Sequence, residues 1–206
     1  MIRSILKGRQ VVLVAGDRKE EATRFMYFIF KDDFSVYLAK GRPGIRDLPG
    51  ILRSDMILIE DNPEEDVNMV RDLSHSLPSC FFVVTRAEKG KRVKELLQGS
   101  SRKSKLIMDL SMLKKVGKKR FEKILTFGVN KKKADFYISD AHKREGETNF
   151  KVNYESNIIP FWVKEELMVK DLYAVLPALC LAELLDLNLA KVSYNIREEL
   201  SLFTKK

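Results

Sequence analysis

Five residues near the start of the chain stand where a phosphate-binding loop would place its chemistry: Gly16, Asp17, Arg18, Lys19 and Thr23. They follow the apolar run Val11–Ala15 and precede an apolar-periodic segment, the strand-turn-helix layout that aims backbone amides at an anion. Such a loop needs a Gly-Lys-Thr/Ser ending. The glycine lets the amides close on the phosphates, the lysine neutralises charge and the hydroxyl holds magnesium. Here those places read Lys19, Glu20 and Glu21. A carboxylate ~4 Å from a phosphate is repulsive by ~1 kcal/mol per unit charge in water, and by ~4 kcal/mol at an effective dielectric of 20. Glu20 and Glu21 are better suited to stabilising a helix N-terminus.

A second candidate is Glu60, which closes the apolar run Met56–Ile59 and is the one residue expected to hold a divalent cation. Its neighbour Asp61 cannot join it through ideal strand geometry, because consecutive strand residues point to opposite faces. His75 and His142 are 67 positions apart with no zinc-type spacing around them. Cys80 and Cys180 each sit inside an apolar run, as reduced core thiols of a cytoplasmic protein do. No residue pattern predicts a catalytic group.

The third candidate is electrostatic. The 206-residue chain carries 38 Lys and Arg against 29 Asp and Glu, a formal charge of +9. That excess is concentrated: from Arg86 to Lys133 there are 17 basic and 4 acidic residues, leaving the rest of the chain slightly acidic. Lys89, Lys91, Arg92, Lys118, Lys119, Arg120, Lys131, Lys132 and Lys133 form a candidate anion-binding surface for nucleic acid, an acidic glycopolymer or an acidic protein. Only Phe121 and Phe127 interrupt the charges, and no RNA-binding or helix-turn-helix pattern appears, so specific nucleic-acid recognition is disfavoured against a solvated lysine-rich surface.

The elements that position these residues follow from apolar periodicity. Strands are predicted at Val11–Ala15, Ser35–Ala39, Met56–Ile59, Phe81–Thr85 and Leu106–Met108, with helices at Thr23–Phe30, Glu64–Leu77 and Lys91–Gln98. This alternation specifies a mostly parallel sheet with flanking helices, an α/β three-layer fold. The chain then changes character near residue 128. Ile124–Phe127, Phe136–Ser139, Phe150–Tyr154 and Ile158–Val163 are four strands with no helix between them, which predicts antiparallel pairing across turns such as Glu155-Ser156-Asn157. An amphipathic helix over Leu172–Leu185 and another over Ala190–Leu202 close the chain, and the whole is expected to form one domain, 1–206. No secretion signal is recognisable. The longest apolar segment, interrupted by Pro177 and Glu183, falls short of the ~20 residues that span a bilayer.

In order and spacing these elements resemble the central ATP-binding domain of the Mur ligase family, enzymes that add amino acids to peptidoglycan precursors. Ala15–Ala22 is similar in position to the family's Gly-Thr-Asn-Gly-Lys-Thr-Thr loop but keeps only Gly16. Met56-Ile57-Leu58-Ile59-Glu60 resembles the strand ending in a magnesium-binding glutamate, and Val83-Val84-Thr85-Arg86 resembles a Val-Ile-Thr-Asn strand end with arginine for asparagine. Ile124–Gly128, Ala134-Asp135-Phe136, Asn149-Phe150 and Ile158–Val163 are similar to the strands that follow. Met168–Ala178 matches the spacing of a Gly-x-His-Asn-x-x-Asn helix in which Lys170, Asp171 and Ala174 replace the histidine and asparagines.

The resemblance implies a P-loop-like scaffold whose polar chemistry is lost, without the family's first and last domains or its carboxylate-modified lysine. It points to a catalytically degenerate homologue that binds or scaffolds in cell-wall precursor metabolism. The alternatives are a nucleotide-binding subunit of a split ATP-dependent ligase, completed by a partner chain, and an anionic-polymer binder using 86–133. ATP and magnesium enter as cofactors only through the resemblance; the residues themselves call for none.

Overall fold

A computed structural model of the chain describes residues 6, 8–68, 77, 80–87, 90–98, 100–116, 121–164 and 166–203, the last six by backbone alone. The chain divides into two compact units, Met1–Ile124 and Leu125–Lys206. Among the described residues nine strands form a mixed sheet structure, and parallel pairings predominate. This is the α/β class that the strand-helix alternation specifies.

In the first unit β1 (Gln10–Ala15) is buried from Val11 onward, as its β-branched run requires. Helix α1 (Lys19–Phe30) begins four residues earlier than apolar periodicity alone indicates, with Glu20 and Glu21 in its first turn. It buries Ala22, Phe25, Met26, Ile29 and Phe30, a stripe at i, i+3 and i+4 spacing. Then come β2 (Val36–Lys40), a short helix α2 (Leu48–Leu52), β3 (Met56–Glu60), β4 (Phe81–Val84), α3 (Gly90–Leu97), β5 (Lys105–Asp109) and one turn of helix, α4 (Leu113–Val116). The strands pair in parallel in the order β2-β3-β1-β4-β5. Helix α2 was not signalled by periodicity. It is seated by Tyr37, whose ring lies where a Cβ on Gly50 would stand and whose hydroxyl donates to Asp47 Oδ1. The helix expected over Glu64–Leu77 lies largely outside the described residues.

The second unit contains β6 (Lys123–Val129), whose first two residues lie just before its boundary, β7 (Phe136–Arg144), β8 (Glu147–Tyr154), β9 (Asn157–Val163), α5 (Val169–Leu184) and α6 (Leu189–Phe203). The expectation of wholly antiparallel pairing fails at its first step. β6 and β7 run parallel, with Phe127 beside Phe136 and Val129 beside Ile138. Parallel neighbours ordinarily need a crossover of a dozen residues or more. Here the six-residue connection 130–135 doubles back because Asn130 adopts φ 55° and its N–H reaches the Ile138 carbonyl. Asp135 Oδ2 then accepts from both the N–H and the hydroxyl of Thr126, at 2.6 and 2.7 Å. β7, β8 and β9 are antiparallel as expected, with the cross-strand pairs Phe136/Tyr154 and Phe150/Phe161 stacked at 4.0 and 4.7 Å between ring centroids. Cys80 in the first unit and Cys180 in the second are both buried, and burial pushes the Cys80 thiol up to about 11.

Candidate functional site

The carboxyl end of β1 lies where the strand order reverses, since β1 has β3 on one side and β4 on the other while β2 lies beyond β3. Ligands of open α/β sheets enter at such a switch point, between the loops that leave the two diverging strands. In this chain those loops are bonded to each other. The Asp17 N–H donates to the Arg86 carbonyl at 2.8 Å, and the Arg18 N–H donates to Thr85 Oγ1 at 3.1 Å. Thr85 completes the contact by donating its hydroxyl to the Ala15 carbonyl at 3.1 Å and its N–H to the same carbonyl at 2.8 Å. Gly16, at φ +108°, permits this approach: a Cβ there would stand 2.4 Å from Thr85 Oγ1 and 2.6 Å from its carbonyl oxygen.

The other loop residues are arranged consistently with that closure. The Arg18 guanidinium is held by Glu21 at 2.9 Å, a partly exposed i,i+3 pair. Thr23 is buried on the inner face of α1, its hydroxyl without a hydrogen-bond partner and its side chain 1% exposed. The geometry thus brings Gly16, Asp17 and Arg18 together at the switch point and turns Thr23 into the core.

Glu60 ends β3, level with Val14 of β1 and Lys40 of β2. Its carboxyl is raised above the ordinary range, chiefly by burial. Repulsion from Glu20 adds to this, while the ammonium groups of Lys40 and Lys19 oppose it. A carboxylate influenced by two lysine ammonium groups is a poor start for a divalent cation, which takes several oxygen ligands. Among the described residues no group of three or more His, Cys, Asp or Glu side chains is placed to hold a metal.

Asp61 has a different role. It is 5% exposed and receives a two-pronged grip from Arg92, Nε to Oδ2 at 2.8 Å and Nη2 to Oδ1 at 2.7 Å. The same guanidinium donates to the carbonyls of Asn62, Pro63 and Glu65, so one side chain from α3 fixes the loop leaving β3. Glu65 in turn accepts from the Arg42 N–H at 2.9 Å, with its carboxylate against Gly41. Arg92 is therefore committed inward and stands apart from the surface lysines with which its sequence neighbourhood groups it.

Of those lysines, Lys91 is exposed on α3 with only a 4.0 Å contact to Glu95. Lys132 and Lys133 are exposed on the loop after β6, and the half-buried Lys131 covers Gly128. Lys89, Lys118, Lys119 and Arg120 lie outside the described residues, as does His75. In α5, Asp171 serves the helix start, its carboxylate accepting from the Met168 N–H at 2.8 Å. Periodicity missed the two arrangements that matter most, Thr85 against Gly16 and Arg92 on Asp61. A threonine ending a buried strand and an arginine on a helix were visible, but the pairing of loops 31 and 69 residues apart was not.

No protein-family model matches the chain, and no curated protein matches it in sequence. Its fold does match solved structures. A MurF ligase from Thermotoga maritima in complex with ADP superposes with a TM-score of 0.70 at 18% identity, over 93% of this chain and 50% of that one. A UDP-N-acetylmuramoylalanyl-D-glutamyl-2,6-diaminopimelate–D-alanyl-D-alanyl ligase from Acinetobacter baumannii matches at 0.70 and 12%, over 95% and 47%. A mutant of L. casei FPGS matches at 0.62 and 11%, over 96% and 64%. The chain spans about half the length of the Mur ligases it matches. At these identities the likeness is one of fold, and the fold is that of a Mur-ligase-like α/β domain.

Proposed function

We propose that this chain is a catalytically degenerate relative of the Mur ligase central domain that acts by binding or scaffolding, without ligating, in cell-wall precursor metabolism. The observation that carries the reading is the closure of the β1 turn by Thr85 and Arg86. A phosphate loop works by presenting unsatisfied amides to an anion. The Asp17 and Arg18 amides already have protein acceptors, Thr85 fills the space beside Gly16, and Glu20 and Glu21 stand where lysine and hydroxyl would be needed. These residues do not fit a magnesium-bound triphosphate, so no catalytic step is assigned through one.

Isothermal titration with ATP and magnesium tests this directly. The expected result is no saturable heat at micromolar to low-millimolar nucleotide and no phosphate release. Micromolar binding, or ATP hydrolysis that Glu60→Ala abolishes, would overturn the proposal in favour of a nucleotide-binding subunit of a split ligase.

A further inference from the structure

We propose that the cavity at the amino ends of β1, β2 and β3 is a binding site for a small zwitterion, an ammonium and a carboxylate carried on one short apolar frame, as in an amino acid or a dipeptide. Its volume is about 450 Å³, within the range of small-molecule sites. It lies at the opposite end of these strands from the β1 turn, so it stands independently of the function proposed above.

The walls are fastened to one another by the fold itself. Arg9, just ahead of β1, donates Nε to the carbonyls of Ile51 and Ser54, both at 2.9 Å, and Nη2 to the Leu52 carbonyl at 3.1 Å. One guanidinium thereby caps the end of α2 and holds it as a wall. The Gln10 N–H donates to the Asp55 carbonyl at 2.9 Å, and the Asp55 N–H donates to the Ser35 carbonyl at 2.9 Å. Asp55 Oδ2 accepts from the Ser35 N–H and hydroxyl at 3.2 and 2.6 Å. Three segments distant in sequence are thus tied around one hollow, and a ligand entering it has little left to order.

The groups these bonds leave over select the ligand. Asp55, Gln10 and Arg53 line the cavity. The Asp55 Oδ1, the Gln10 side-chain amide and the Arg53 guanidinium have no hydrogen-bond partner among the described residues. The Ser35 hydrogen bonds, helped by Arg9, hold the Asp55 carboxyl below the usual range, so it is charged at neutral pH. A bare anion would meet this carboxylate, and a bare cation would meet the guanidiniums of Arg9 and Arg53. A molecule carrying both charges satisfies both, its carboxylate on Arg53 and its ammonium on Asp55 Oδ1. The Gln10 amide adds a donor and an acceptor for a peptide group. Phe34, its ring held edge-on to Phe30 at 6.3 Å between centroids, and Leu52, 57% exposed, offer apolar surface to the frame between the charges. The mouth is open to water, which screens both ion pairs, so the affinity is millimolar.

Titration of the full chain with alanyl-leucine, followed by amide chemical shifts in NMR spectra, tests the assignment. The expected result is saturable millimolar binding with shifts centred on Gly8, Gln10, Ser35 and Asp55. N-acetylation of the dipeptide removes its ammonium and C-terminal amidation removes its carboxylate, and each should weaken binding about tenfold. Arg53→Gln should weaken alanyl-leucine by a similar factor and leave the amidated form unchanged. Asp55→Asn, which keeps an oxygen for Ser35, should weaken alanyl-leucine and leave the acetylated form unchanged. If that variant does not fold, Arg53→Gln still decides, because the exposed Arg53 side chain holds no wall in place. Free leucine binding as tightly as the dipeptide would assign the site to single amino acids, and weaker binding of leucine would assign it to peptide ends; both support the zwitterion. Absence of saturable shifts, binding that tolerates both blocking groups, acetate binding as tightly as the dipeptide, or an affinity unchanged by Arg53→Gln would each overturn the proposal.

Discussion

Thr85 occupies the space that a side chain on residue 16 would need, and its hydroxyl bridges the Ala15 carbonyl and the Arg18 N–H on either side of Gly16. Gly16→Ala therefore meets two penalties together: a positive φ unfavourable to L-residues and a contact under 3 Å with Thr85 backbone. The expected loss is at least ~2 kcal/mol by urea denaturation. Thr85→Val, which keeps the shape but not the hydroxyl, should cost about 1–3 kcal/mol by leaving the Arg18 amide without its acceptor. If Thr85→Val instead gained ATP affinity at little cost in stability, the turn would be a gated site and not a closed one.

The grip of Arg92 on Asp61 is testable through its geometry. Arg92→Ala leaves a nearly buried carboxylate without its donor and removes the Arg92 bonds to the Pro63 and Glu65 carbonyls, the Asn62 carbonyl keeping the Glu65 N–H, and should destabilise by about 3 kcal/mol. Arg92→Lys should rescue little of this, because an ammonium cannot reproduce the planar two-pronged contact. Full rescue by lysine, read as an unchanged denaturation midpoint, would reduce the interaction to charge alone.

Glu60 gives the chain a pH signature. Its carboxyl is raised in the folded state, so the folded protein holds that proton more tightly than the unfolded chain does. The favourable contribution is present at pH below the unfolded value and is lost as pH rises through the folded one. At pH 7 the charged group is a net penalty, softened by its partial exposure, and Glu60→Gln should raise the melting temperature there. The difference should vanish below pH 4. Thermal melts of both proteins across pH 3–8 check the crossing, and a stabilisation that persisted at pH 3 would show that titration is not its cause.

In the second unit, Asp135→Ala removes the acceptor of both Thr126 groups that hold the parallel turn, and should cost about 1–2 kcal/mol. The expected spectroscopic mark is loss of exchange protection at the Thr126 and Asn130 amides while β8 and β9 keep theirs.

Most of the fold was legible because its information is local. Val11–Ala15, Met56–Ile59 and Phe81–Val84 are apolar runs that only a doubly covered strand explains, and each became one. The direction of β7 was not legible. Strand periodicity carries no sign of direction, and the determinant is a side-chain contact between Thr126 and Asp135 across a tight loop. The candidate site divides in the same way. The missing lysine and hydroxyl after Gly16 are sequence facts, whereas the closure of the turn depends on residues 67 and more positions away. Arg92 shows the converse error, a basic residue grouped with its neighbours by composition and separated from them by one buried carboxylate.

The two cysteines, one per compact unit, make the protein its own stopwatch. Each thiol is enclosed, and burial holds both well above their ordinary pKa, so a thiol reagent at pH 8 meets neither a thiolate nor an open path. Modification must wait for the surrounding structure to open. Labelling of Cys80 therefore times the opening of the β4–β5 region, and labelling of Cys180 times that of α5, so a single mass-spectrometric time course reports the two units as separate clocks.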